Sequence, residues 1–106
     1  MLSKNEITIP VSEPKRVVDL DAASQISGIH RELIRELVRG RLVRPIRSGE
    51  TDRLLFDDRG LTRLRQIADL HFGEKLHFRT VRLIVRLLDR IEVAETELKY
   101  WRELNR

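Results

Sequence analysis

A chain of 106 residues with a formal charge of +4 and no cysteine has room for one domain with a small core, plus an appendage such as a protruding helix. The lack of cysteine excludes a disulfide framework and thiolate metal sites, and no apolar run approaches membrane-spanning length. With 41% hydrophobic, 36% charged and only 5% aromatic residues, the composition suits a helical, heavily solvated protein. The opening MLSKNEITIP has no signal-peptide core, so a cytoplasmic location is expected. The positive charge permits a nucleic-acid partner without demanding one.

Residues 1 to 16 carry Pro10 and Pro14 among polar side chains. Ile7, Ile9 and Val11 alternate, so Glu6 to Val11 reads either as a short edge strand or as a frayed arm. The spacing of Val17, Val18, Leu20, Ala22, Ala23 and Ile26 predicts a short helix from Val17 to Ile26, with Asp19 and Asp21 near its positive end. Ser27 and Gly28 then supply a turn.

The stretch from Gly28 to Arg47, GIHRELIRELVRGRLVRPIR, organises the rest. Leu33, Ile34, Leu37 and Val38 recur at helical spacing, while Arg31, Arg35 and Arg39 share another face. Gly40 suits a helix C-cap, and Pro45 biases Arg44 toward extended backbone. Six arginines against Glu32 and Glu36 make this segment equal to the whole charge excess of the chain. Helix, Ser-Gly turn and basic helix is the outline of a helix-turn-helix, and the basic helix is what a DNA reader looks like.

After the turn formers Ser48, Gly49 and Asp52, Leu54, Leu55 and Phe56 are too short for anything but a small strand or wing. Asp57 or Asp58 caps a third helix, roughly Asp58 to Phe72, that ends at Gly73. A fourth helix, about Phe78 to Leu104, contains no Gly or Pro. Ile84, Leu87, Ile91, Ala94, Leu98 and Trp101 alternate three- and four-residue steps along it, a heptad-like seam. Val81, Val85 and Leu88 add a second stripe in its first half only. Such a helix is buried on two sides early and one narrow side later, which predicts a homodimer through this seam. The expected architecture is all-α with a minimal β wing. It comprises an arm or strand over 1–16, a winged helix-turn-helix over 17–76 and a long dimerisation helix over 77–106.

Catalytic chemistry is missing from the pattern. His30, His71 and His77 lack the i, i+4 spacing of a helical zinc site, and the glycines are isolated rather than grouped in a phosphate-cradling loop. Asp57 and Asp58 read as a helix cap, not as an acid–base pair. The expectation is a non-enzyme with no metal and no cofactor.

The order of these elements resembles the MerR-like winged fold over about Val17 to Leu104. MerR-type regulators carry a pattern like I-R-Y-Y-E followed by G-L-L-x-P-x-R, and the matching segments here are Ile34 to Val38 and Arg41 to Arg47. Both Tyr positions are replaced, by Glu36 and Leu37, and the wing Arg of the regulators corresponds to Leu54. A second branch, the chaperone-modulator or CbpM-like family, shows G-I, E-L-V-x-x-G-L-V-x-P and an aromatic-x-F-D-D wing end. This chain is similar to that pattern in Gly28-Ile29, Glu36 to Pro45, Leu54 to Asp58, and Leu87-Leu88-Asp89-Arg90-Ile91. Leu54 stands where the family often has an aromatic.

The second resemblance implies a dimer that binds the J-domain of a CbpA/DnaJ-type co-chaperone and inhibits its stimulation of Hsp70. J-domains present a basic helix, so the candidate contacts are acidic: Asp69, Glu74, Asp89 and Glu92. Those carboxylates are otherwise solvated face charges or partners of nearby arginines. The first resemblance implies instead a DNA-binding regulator. Arg31, Arg35 and Arg39 would enter the major groove, with Arg44 and Arg47 on phosphate.

Overall fold

Asp19 sets where the first helix begins. Its Oδ1 accepts a hydrogen bond from the Ala22 N–H at 2.9 Å, the bond that satisfies an otherwise unpaired first-turn donor. In the computed structural model, which describes residues 16–47 and 53–106, helix α1 therefore spans Leu20–Ser27 and starts later than the apolar spacing predicted. Val18 and Asp19 instead form a short strand, β1. Its partner is β3, Leu54–Phe56, with Val18 opposite Phe56. A β-branched valine beside a fully buried phenylalanine is stabilised better on a pleated surface than at a frayed helix start.

The wing is correspondingly larger than two strands. β2, Ile46–Arg47, pairs antiparallel with the other edge of β3, so the sheet order is β1-β3-β2. Pro45 delivers the chain into β2 in the extended geometry expected of that sequence. The predicted edge strand at Glu6 to Val11 and the turn formers Ser48, Gly49 and Asp52 lie outside the described residues.

Helix α2 spans Arg31–Arg39. The turn before it uses Gly28 at φ +77°, with its N–H donating to the Ser24 carbonyl. Ser24 Oγ donates to the Ile29 carbonyl at 2.7 Å, and the Ile29 N–H donates to Ser27 Oγ at 3.2 Å. A Cβ on Gly28 would meet nothing within 4 Å, so the expected cost of Gly28→Ala is backbone strain alone, about 1–2 kcal/mol. A urea unfolding curve with a lower midpoint and unchanged slope is the measurement that checks it.

At the far end of α2, Gly40 occupies the cap position, but at φ −80°. The left-handed residue is Arg41, at φ 63°. Leu42 N–H donates to the Leu37 carbonyl and Arg41 N–H to the Val38 carbonyl, the paired bonds of a Schellman ending. That ending turns Leu42 and Val43 inward, where both are buried.

α3 spans Asp58–Ala68, and Asp57 is its cap, accepting from the Gly60 N–H at 2.9 Å. It ends earlier than predicted, because Asp69–Gly73 widen into a π-helical turn. α4 spans Phe78–Leu104, as its unbroken pattern requires. The core gathers Ala23 and Ile34 with Leu37 and Phe56, Leu64 and Ile67 of α3, and Val81 and Val85 of α4. Past Asp89, α4 leaves the domain, and every residue from Arg90 onward is exposed. A 27-residue helix is roughly 40 Å long, which accounts for the longest dimension of 52 Å. Among the described residues no helix is long and apolar enough to cross a membrane.

Candidate functional site

The basic face of α2 is interleaved with carboxylates. Arg31 Nη1 lies 3.0 Å from Asp21 Oδ1 on α1, and Arg35 Nε lies 3.6 Å from Glu32 Oε2 one turn earlier. At the wing, Arg53 Nη2 lies 3.7 Å from Asp19 Oδ2. All of these side chains are substantially exposed, so the pairs contribute little to stability. Their effect is on the field: the outward face of α2 offers a phosphate backbone alternating signs, with Glu36 exposed beside them. Arg39 and Arg44 are exposed as well. Arg47 belongs to β2.

The four acidic candidates do not form one cluster. Asp69 and Glu74 sit together at the corner between α3 and α4, where the Glu74 N–H donates to the Asp69 carbonyl at 2.8 Å. The corner is shaped by the π turn and by Lys75 at φ 58°. His71 stands between Phe72 and Phe78, with ring centroids 4.9 and 5.5 Å away, and its Nδ1 lies 3.0 Å from the Leu76 carbonyl. A carbonyl only accepts, so Nδ1 carries the proton in this bond. Phe72 itself is exposed.

Asp89 and Glu92 belong instead to an ion network that holds α4 to α3. Arg63, with only 12% of its side chain exposed, reaches Asp89 Oδ1 at 2.8 Å and Glu92 Oε2 at 3.5 Å. Its Nε donates to Gln66 Oε1 at 3.0 Å. Arg59 Nη2 adds a 2.7 Å contact to Glu92 Oε1. Fixed arginine forks of this kind orient the carboxylates they hold.

Alongside the network runs an open groove of about 710 Å³ between the α2–β2 turn, the start of α3 and the middle of α4. Leu42, Pro45, Ile46 and Val93 supply its apolar lining. Sequence reasoning missed these residues. The signal present was the seven-residue step from Val93 to Tyr100, off the main seam of α4. Among the described residues no group of three or more His, Asp or Glu side chains is placed to hold a metal ion.

The family described as MerR HTH family regulatory protein matches residues 18–103. The chain belongs to this family. The match begins where β1 begins and stops within the last turn of α4, so every element that positions the surfaces above lies inside the MerR HTH region. No curated protein matches the sequence.

Within that MerR HTH framework the predicted seam divides in two. Ile84 is half-buried against the domain, whereas Leu87, Ile91, Ala94, Leu98 and Trp101 are exposed. Exposed apolar side chains at heptad spacing are unusual on a monomer surface and typical of a helix awaiting a partner.

Proposed function

We propose that this MerR HTH family protein is a non-enzymatic regulator acting through protein contacts. It forms a homodimer through α4, binds the J-domain of a CbpA/DnaJ-type co-chaperone and inhibits that co-chaperone's stimulation of Hsp70. The observation that carries the reading is the state of the α2 face. Arg31 and Arg35, two of the residues a DNA reader would insert, are each within 4 Å of a carboxylate. Inserting them between phosphates would bring Asp21, Glu32 and Glu36 to the same polyanion. A J-domain, with its basic helix, is attracted rather than repelled by Asp69 and Glu74, and meets Asp89 and Glu92 as carboxylates shared with Arg63 and Arg59. The sequence resemblance to CbpM-like proteins supports the same reading.

The test is a calorimetric titration with the J-domain of the same organism's CbpA-like co-chaperone, at roughly 0.15 M salt. Micromolar or tighter binding is expected, and lysine at both Asp69 and Asp89 is expected to abolish it. Unchanged affinity in that double variant would place the contact elsewhere. Because Asp89 holds Arg63, the Asp69→Lys/Glu74→Lys pair is titrated beside it, with circular dichroism confirming both folds.

DNA binding is the second reading, favoured by the exposed Arg39, Arg41 and Arg44 in the segment that carries the charge excess. Specific binding to the DNA upstream of its own operon, lost in Arg35→Ala/Arg39→Ala and absent toward the J-domain, would replace the first reading with this one.

A further inference from the structure

The distal half of α4 carries two apolar faces, not one. The heptad seam through Leu87, Ile91, Leu98 and Trp101 is the first. Val93, Tyr100 and Leu104 form the second, at the i, i+7, i+11 spacing that stacks side chains on one line of a helix. This line lies roughly a third of the way round from the seam. Val93 and Tyr100 are each 59% exposed, so nothing in the folded chain covers them.

The second face becomes acidic toward the tip of the helix. Asp89, Glu97 and Glu103 flank the second line, with Glu92 farther round the helix and Arg90 in register with Glu97 on the border toward the seam. Arg90 lies between the two faces, and Arg102 lies beyond the seam with Glu95. Toward the domain the acidic line ends abruptly, because Arg82 and Arg86 continue it. The acidic stretch from Asp89 to Leu104 is thus about 24 Å long, four turns of helix. Arg59 and Arg63 neutralise part of it by holding Asp89 and Glu92, which leaves Glu97 and Glu103 as the carboxylates toward the tip.

At its inner end this face meets the groove, whose lining joins Val93, Thr96 and Glu97 to Pro45 and Ile46. That lining also carries Arg41, Arg44, Arg59 and Arg63, so the acidic part of the face is its outer stretch around Tyr100. An apolar line that carries Glu97 and Glu103 on its two sides, one turn before and after Tyr100, has the form of a helix-binding track. We propose that the Val93–Tyr100–Leu104 face of α4 docks a basic amphipathic helix of a protein partner, leaving the seam free for a second copy of the chain. The partner helix presents an apolar row to Val93 and Tyr100 and lysines or arginines to Glu97 and Glu103. The proposal rests on the reading of the protein as a binder of a basic-helix partner, and it moves the energetic centre of that contact from the α3–α4 corner to the protruding helix. The aromatic Tyr100 is the natural anchor, since tyrosines dominate the energetics of such surfaces.

The experiment titrates the J-domain into wild-type protein, Tyr100→Ala, Glu97→Lys/Glu103→Lys, and Asp69→Lys/Glu74→Lys, each first checked for helicity and for mass by sedimentation. A second arm titrates a synthetic helix with a leucine row flanked by lysines, and its glutamate-flanked counterpart, while amide shifts of wild-type protein are followed by NMR. The expected result is a loss of at least about tenfold in J-domain affinity for Tyr100→Ala and for the Glu97/Glu103 variant, and a smaller loss for the corner variant. J-domain binding that all α4-face variants keep would overturn the docking face and leave the J-domain reading intact. If the wild-type chain does not bind the J-domain, that reading fails, and the second arm decides the face. Shifts at Val93, Tyr100 and Leu104 with the lysine helix alone uphold it for another basic partner, and no such shifts overturn it. Conversion of the dimer to monomer in Tyr100→Ala, with J-domain affinity unchanged, would assign the face to a second copy instead.

Discussion

Replacing Phe56 by alanine is expected to destabilise the fold by about 3–5 kcal/mol. Phe56 is completely buried at the end of the central strand β3, where it pairs with Val18 of β1. Its ring also packs on the first turn of α3. A Cβ placed on Gly60 would meet Phe56 Cδ1 at 3.4 Å, so the glycine lets the helix start sit directly on the ring. Removing the ring empties the point where sheet and α3 meet, and the small core has no spare side chain to fill it. Domains of this size hold only about 5–15 kcal/mol in total, so the loss consumes a large share. Urea unfolding should show a much lower midpoint with an unchanged slope. Phe56→Leu, which keeps most of the apolar volume, should lose distinctly less. Equal losses in the two variants would mean that the ring is not the joint between wing and helix.

The second large effect is expected at the seam of α4. Leu98→Glu with Trp101→Glu should turn a homodimer into a monomer, read by sedimentation as a halved mass at micromolar concentration. Leu98 and Trp101 are more than half exposed in the single chain, and burying each against a second helix would contribute about 1.5–3 kcal/mol. A carboxylate on that line removes the apolar gain and must itself be desolvated on pairing. Far-UV circular dichroism of the diluted wild type and the variant should agree, because neither residue belongs to the core of its own domain. A wild-type chain that sediments as a monomer would remove the dimer from the proposed function. It would leave the acidic face of α4 to be judged by its own titrations.

The surfaces differ in how visible they were beforehand. The α2 arginines stood on one helical line and could be named at once, yet whether they are available for DNA depended on Asp21. That residue lies ten positions earlier in the chain, and only the packing of α1 beside α2 brings it within 3.0 Å of Arg31. The acidic residues were equally easy to name, but their grouping was not. Asp89 is 26 positions from Arg63, and no local pattern distinguishes a carboxylate held by a distant arginine from one that faces solvent.

By itself the sequence determined what depends on neighbours within a turn or two. Periodicity placed α2, α3 and α4, the Asp57-Asp58 pair marked the start of α3, and the unbroken run from Phe78 to Leu104 required one long helix. These are settled by caps and side-chain spacing, whose partners lie three to four residues away. Only the tertiary structure decided the rest. Val18 could extend α1 or join a sheet, and the strand won because Phe56, 38 positions later, supplied both hydrogen-bond partners and a buried face. The π turn at Asp69–Gly73 arises at the joint where α3 gives way to the corner leading into α4. The groove beside Val93 exists because three segments distant in the chain converge on one side of α4. Contacts between residues far apart in sequence cost loop entropy and are decided by the shape of the whole core, which no window along the chain contains.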